Sequence, residues 1–530
     1  MRRSSSSELR LADLALGRPN FQQPPRTQRA CGSLSALRRP SPRAALPAAR
    51  FFRPATAELT LARHGKWVAF TLVWIQNRIH SRCTTLYFTR QIDLVLSEWA
   101  ADRPRKPLVL RGARQTGKTA AVRRLGEQFH TLVELNLERH ADRSLASACR
   151  SADELLEALR VRHDVARFPE STLLFLDEIQ EHPPAVGWLR FLYEDHPDLA
   201  VVAAGSLLEV RLAERGFSFP VGRVTFREVG PFGLDEFMRA TERSELSDAV
   251  GASVQRLEPL APPLHEAAHA AMREWLVVGG MPEAVAGWAR DRSVSAVRRV
   301  HGDLIQAFSE DIQKYRGVRD LAYIEAAFAA QSAHWGLRYK YENFAPGFRS
   351  ALMKAAIDKL EAARIVRRVL PTTATTRPLV PKARAAAKLL PLDVGIALTV
   401  LGVPTTEIQQ APLEGLLAGR VAEIAAGQLL NASRFWVRED TGGAAEVDYL
   451  VEAGGHVMPV EVKAGATGRL RSLHQYLSRA GTQTGVRLHG GPLSDERHMV
   501  ALPGGPLDYR LVSVPLYAAE RVAGMVEGWA

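Results

Sequence analysis

Apolar residues recur in short, regularly separated blocks from about Tyr87 onward, and the spacing inside each block sets the element it predicts. In LYFTRQIDLVLSEWA, Ile92, Leu96 and Trp99 fall at helical spacing, and the polar break ADRPRK ends that helix. Four blocks then read as short buried strands: PLVL at 107–110, LVELNL at 132–137, TLLFLD at 172–177 and LAVVAAG at 199–205. Helical patterns such as SADELLEALRVRHDVARF lie between them. Strands that alternate with helices predict an α/β fold with a mostly parallel, doubly wound sheet covered on both faces, here over 87–245.

Beyond that core the period changes. Residues 246–318 are helical in pattern, with the break GGMPE at 279–283 separating two helices. Residues 319–375 read as short helices, a candidate recognition helix FRSALMKAAIDKLEAARIV and an apolar strand around RRVL, the order of a small winged helix-turn-helix. Such modules contact proteins as well as DNA. After the Thr- and Pro-rich linker PTTATTRPLVP, a second α/β region occupies 376–530. No internal repeat is visible.

Composition changes this picture at one end only. The chain has 530 residues and a formal net charge of +12, but residues 1–87 hold fourteen Arg and one Lys against three acids, so the remainder is neutral. Bulk charge therefore gives no nucleic-acid footprint for the folded part. The Arg-, Ser-, Pro- and Ala-rich leader, 1–86, cannot bury enough apolar surface to offset chain entropy and is expected to be a disordered basic extension. Its apolar run Trp67–Ile79 is too short to span a bilayer, so no membrane segment is expected. Three cysteines, Cys31, Cys83 and Cys149, have neither zinc nor disulfide spacing, which fits a reducing cytoplasm.

The first chemical constellation follows the first strand. GARQTGKT, Gly112 to Thr119, satisfies G-x-x-x-x-G-K-[ST] between a buried strand and a helix, the setting a P-loop requires. Gly112 and Gly117 let backbone N–H groups close around phosphates, Lys118 reaches the β and γ phosphates, and the Thr119 hydroxyl ligates magnesium. ATP with Mg²⁺ is the expected ligand. In TLLFLDEIQ an apolar strand runs into Asp177 and Glu178, as in a Walker B strand. Asp177 is expected to hold magnesium and Glu178 to polarise the attacking water. The next strand ends in AAGS, which puts Ser206 at a position that senses the γ-phosphate, and Arg223 in FPVGRV is either a trans-acting arginine finger or a surface charge.

A second constellation lies near the C-terminus: Glu423 on an amphipathic helix, Asp448 in AEVDYLVE, and Glu461 with Lys463 in VMPVEVKAG. Strand period two puts Glu461 and Lys463 on one face, and Gly454–Gly455 is a turn that returns their strand beside Asp448.

The pieces YFTRQID, LRGARQTGKT, LLFLDEIQ, AGSLLE, GRVTFREVGPFGLDEF, VGGMPEAV, KLLPLDVGIA and EVDYL with VEVKAG, in this order, resemble the AAA-type ATP-binding proteins of bacteria and archaea that carry a C-terminal domain of unknown function. The resemblance implies an AAA-like ATPase core and no particular substrate. The C-terminal set resembles the PD-(D/E)xK nucleases. That likeness implies that Asp448 and Glu461 bind magnesium, that Glu423 completes the metal site and that Lys463 orients water. Two functions follow: ATP hydrolysis coupled to a nuclease domain acting on DNA or RNA, or a nucleotide-dependent protein-interaction switch with an inactive nuclease-like scaffold. A homo-oligomer or a protein partner is compatible with both.

Overall fold

The computed structural model describes residues 87–529, apart from 166, 170, 207, 209–215, 314–317, 383–384, 411–418, 439–444 and 464–469. The expectations for 1–86, including the run Trp67–Ile79, lie outside the described residues. Among the described residues no helix is long and apolar enough to cross a membrane.

The apolar blocks of 87–245 form the expected sheet. Strands β1 (Leu108–Arg111), β2 (Thr131–Asn136), β3 (Thr172–Asp177), β4 (Ala200–Ala204) and β5 (Thr225–Glu228) lie in the order β2-β3-β4-β1-β5, and every pairing is parallel. Helices α1 (Gln91–Ala101), α2 (Lys118–Gly126), α3 (His140–Ala148), α4 (Ala152–Arg162) and α5 (Pro184–Asp195) cover it. Alternate strand residues enter opposite faces, which is why the strands read as continuous apolar runs. Leu108, Leu110 and Phe175 pack with Leu96, Val122 and Leu125. Val109, Leu174 and Val201 pack with Leu155, Leu159 and Leu189 on the other side. A parallel sheet aligns all its carboxyl ends, so the segments after β1, β2, β3 and β4 emerge along one edge.

A helical region follows: α6 (Leu234–Ala240), α7 (Ser244–Arg256), α8 (Pro262–Val278), α9 (Pro282–Asp291), α10 (Val294–Gln313) and α11 (Val318–Ala330). The break between α8 and α9 has a packing cause. Gly280 N donates to the fully buried Asp393 carboxylate at 2.6 Å, and a Cβ on Gly279, whose φ is +71°, would lie 2.1 Å from Asp393 Oδ1. Pro282 then starts α9 where no N–H is needed.

The rest builds a second, nine-stranded sheet. Its strands are β6 (Arg338–Tyr339), β7 (Val366–Thr372), β8 (Ala387–Pro391), β9 (Arg434–Val437), β10 (Glu446–Ala453), β11 (His456–Val462), β12 (Thr484–His489), β13 (Ser494–Leu502) and β14 (Gly505–Pro515). They run in the order β13-β14-β12-β11-β10-β9-β7-β8-β6. Helices α12 (Ser350–Ala362), α13 (Val394–Val400), α14 (Thr405–Gln410), α15 (Arg420–Leu429), α16 (Arg471–Ala480) and α17 (Val522–Glu527) accompany it. β7 pairs antiparallel with β8 and parallel with β9. The sheet therefore runs unbroken across 375/376, the boundary expected between the helix-turn-helix and the C-terminal region. One apolar core extends from Phe232 to Val526. Glu520, in the last 3-10 turn, accepts from Leu234 N and Asp235 N, both at 2.9 Å, at the start of α6.

Candidate functional site

The glycine-bounded loop leaves β1 under a steric demand that only glycine meets. Gly112 has φ +153°, and a Cβ there would stand 2.2 Å from the Val229 carbonyl. Gly117, with φ +92°, precedes the first residue of α2, whose unpaired N–H groups point at the loop. Lys118 is buried and donates to the Gly112 and Ala113 carbonyls at 3.1 and 2.8 Å. Burial pulls its pKa down to about 8 against the opposing charges of Glu178 and Asp177. Phosphate oxygens are the acceptors that would replace those carbonyls.

Three strand ends meet beside this loop. Thr119 Oγ1 donates to Asp177 Oδ2 at 3.0 Å, and Asn136 Nδ2, from the end of β2, reaches the same oxygen at 3.3 Å. Burial, then the charge of Glu178, pushes the Asp177 carboxyl up to about 6. A divalent ion would relieve both effects. Thr119 and Asp177 suit magnesium, which takes one or two protein ligands and fills its octahedron with water and phosphate.

Glu178 sits at φ 50°, ψ 47°, a left-handed conformation that costs a non-glycine residue on the order of 1 kcal/mol or more. Its Oε2 accepts from Gln180 Nε2 at 2.5 Å and from Ser206 N at 3.4 Å. Ser206 thus touches the carboxylate through its backbone, at the end of β4 between β3 and β1. Gln180 can approach because residue 205 is glycine: a Cβ there would lie 2.0 Å from Gln180 Oε1. Arg223 forms an exposed ion pair with Glu194 on α5 at 2.6 Å.

Two arginines tie the loop to the rest of the chain. Arg114, inside the loop, pairs with the buried Asp311 on α10 at 2.7 Å. Arg90, buried ahead of α1, donates to Thr116 O at 2.8 Å, Gly230 O at 2.9 Å and Glu236 Oε2 at 3.1 Å, with its guanidinium 4.2 Å from the centre of the Phe232 ring.

The C-terminal residues also converge. Gly454–Gly455 closes the β10–β11 hairpin, in which Ala453 faces His456. Asp448 Oδ2 accepts from Val462 N at 2.8 Å, and Lys463 Nζ lies 2.7 Å from Glu461 Oε1. Glu423 approaches from α15. At the centre stands Lys388 of β8, whose ammonium lies 2.7 Å from Glu446, 2.9 Å from Glu423 and 3.5 Å from Asp448. Burial by itself would lower the Lys388 pKa, but Asp448 and Glu423 carry it above its ordinary value. Burial and then Asp448 push Glu461 up to about 7. Among the described residues no three His, Cys, Asp or Glu side chains are arranged to hold a metal. As arranged, Lys388 lies against Glu423 and Asp448, and Lys463 lies against Glu461.

Comparison with known families bears on the first site. Residues 104–238 match a family described as AAA domain. Over these residues the chain is similar to AAA domains, which supports an AAA-type ATPase. Residues 269–407 and 419–503 match two domains of unknown function, DUF8612 and DUF4143. No curated protein matches the chain. Among solved structures, the Walker-type ATPase PABY2304 of Pyrococcus abyssi is similar at 15% identity and a TM-score of 0.37, covering 59% of this chain and 96% of that one. The Aeropyrum pernix ORC1 protein, solved in complex with DNA, is similar at 14% identity and a TM-score of 0.27, covering 61% of this chain and 94% of its own. The ADP form of Aeropyrum pernix ORC2 gives 12% and 0.28, over 63% and 98%.

Sequence reasoning did not single out Asn136, Gln180, Arg90 or Lys388. The first two carried a local signal, a polar amide at a strand end or just after one. Arg90 and Lys388 lay inside recognised segments, but their partners are distant in sequence.

Proposed function

We propose that the chain is a magnesium-dependent ATPase working as a nucleotide-controlled switch, in which the C-terminal nuclease-like cluster is a scaffold for contacts with nucleic acid or a protein partner. The observation that carries the ATPase reading is the meeting of Thr119, Asp177 and Glu178 at the phosphate loop. Lys118 would exchange its loop carbonyls for the β and γ phosphates, and Thr119 with Asp177 would hold the ion. Magnesium, when bound with ATP, neutralises phosphate charge. Glu178, steadied by Gln180, orients the water for in-line attack and accepts its proton. The contact from Ser206 N to Glu178 supports a sensor role, since a shift at the γ-phosphate would reach that N–H.

The switch reading draws on Arg114–Asp311 and Arg90–Glu236, which couple the loop to α10 and α6. We read α11, β6, α12 and the β7–β8 hairpin as a winged-helix-like module whose outer strands join the C-terminal sheet. The exposed Arg223 suits a finger offered to a second copy. The test is limited proteolysis with and without ATP and magnesium, alongside ATP turnover. ATP should change the cleavage pattern of Glu178→Gln persistently and that of wild type transiently; patterns indifferent to ATP would refute the switch. A second reading, a metal-dependent nuclease, draws on the convergence of Glu423, Asp448, Glu461 and Lys463. Incubation with single-stranded and duplex DNA and RNA, magnesium or manganese, with and without ATP, decides it; cleavage lost in Asp448→Ala would establish that reading.

A further inference from the structure

Four carboxylates, Glu423, Glu446, Asp448 and Glu461, come together in the C-terminal sheet, and a fold that gathers them must supply positive charge. Lys463 answers Glu461 at 2.7 Å. Arg338 reaches Glu446 at 3.2 Å, and Glu423, Glu446 and Asp448 all face one buried ammonium. Lys388 has three N–H donors and no acceptor, and three carboxylates surround it. Its side chain is 2% exposed, flanked by the rings of Phe435 and Tyr449 with centres 5.3 and 5.2 Å away.

We propose that Lys388 is the resident cation of the C-terminal site, standing where a nuclease-like fold would take a divalent metal. This deepens the scaffold reading and does not depend on the ATPase. Magnesium needs oxygens about 2.1 Å away, and a second cation sharing oxygens with this ammonium would meet strong like-charge repulsion. Asp448 Oδ2 is further committed to Val462 N. Glu461 Oε2 is buried and unpartnered, one oxygen that does not make a cage. Lys388 also joins two stretches of chain: it sits within 269–407, whereas Glu423, Glu446 and Asp448 sit within 419–503. The ammonium is therefore a clasp between them.

The test uses the full chain carrying Asp177→Asn, so that the phosphate loop contributes no metal binding. Manganese is titrated while the free-ion electron paramagnetic resonance signal and the unfolding temperature are followed. With Lys388 intact, no saturable uptake and no thermal shift are expected. Lys388→Met should unfold several degrees lower, acquire saturable manganese uptake and regain part of the loss in manganese; adding Asp448→Asn should abolish that uptake. If Lys388→Met does not fold, the charge-balanced pair Lys388→Met with Glu446→Gln replaces it under the same expectation. Saturable uptake with Lys388 present that Asp448→Asn removes would overturn the proposal, and so would a folded Lys388 variant that gains none. DNA cleavage by the wild-type chain in manganese would sink the scaffold reading. Uptake without cleavage would sink only the role of Lys388.

Discussion

Replacing Arg90 by methionine removes one guanidinium from a place where it serves three purposes. It closes on the Thr116 carbonyl inside the phosphate loop, accompanies Gly230 O, and neutralises Glu236, whose side chain is 9% exposed. Breaking a buried pair from one side costs about 3–5 kcal/mol, because a charge is left without compensation. Glu236 would keep backbone donors from Gln91 at 2.8 Å and Gly233 at 3.3 Å, which places the cost near the lower end, about 3 kcal/mol. At roughly 2 °C per kcal/mol for a large chain, unfolding should move down by about 6 °C in a thermal scan. Glu236→Gln added to Arg90→Met should recover part of the loss, since the double variant buries no unpaired charge. ATP affinity of Arg90→Met should fall as well, because Thr116 O is released. A midpoint within 1 °C of wild type, with unchanged ATP binding, would refute this account of Arg90.

Further outcomes follow from other contacts. Gln180→Ala should lower ATP turnover roughly 10- to 100-fold while leaving ATP affinity nearly unchanged, the loss expected for one hydrogen bond to a charged group, measured by steady-state phosphate release. Asp311→Asn should bind ATP but lose any ATP-dependent protection of α10, read by limited proteolysis; retained protection would remove Arg114–Asp311 from the coupling. Glu520 is raised to about 7, first by burial, so its contribution to stability is full below the ordinary glutamate range and lost as pH rises through 7. Glu520→Gln should flatten the decline of unfolding free energy between about pH 4.5 and 7; an unchanged slope would show that the carboxyl does not titrate there.

The phosphate loop was legible because its demands are local: a buried strand, glycines at fixed offsets, a lysine and a hydroxyl at a helix start. The strand before Asp177 was legible for the same reason, with four apolar residues filling a doubly covered sheet. β5 was not, since TFRE is short and polar and is fixed only by pairing with β1. The C-terminal hairpin was legible from Gly454–Gly455 and period-two spacing. What neutralises it was not, because Lys388 arrives from a strand 35 residues before Glu423 and 60 before Asp448. The 375/376 boundary followed a change in composition, the Thr- and Pro-rich connection, and strand pairing runs straight through it.

The most direct measurement is ATP binding and turnover by the wild-type chain beside Lys118→Ala and Glu178→Gln, with magnesium present. Wild type should hydrolyse ATP. Lys118→Ala should bind it weakly or not turn it over, having lost the buried ammonium of the loop. Glu178→Gln should retain binding while turnover falls by about 10²–10⁴-fold, the loss of a general base that leaves Thr119 and Asp177 in place. Wild-type affinity and turnover in both variants would contradict the assignment of this site.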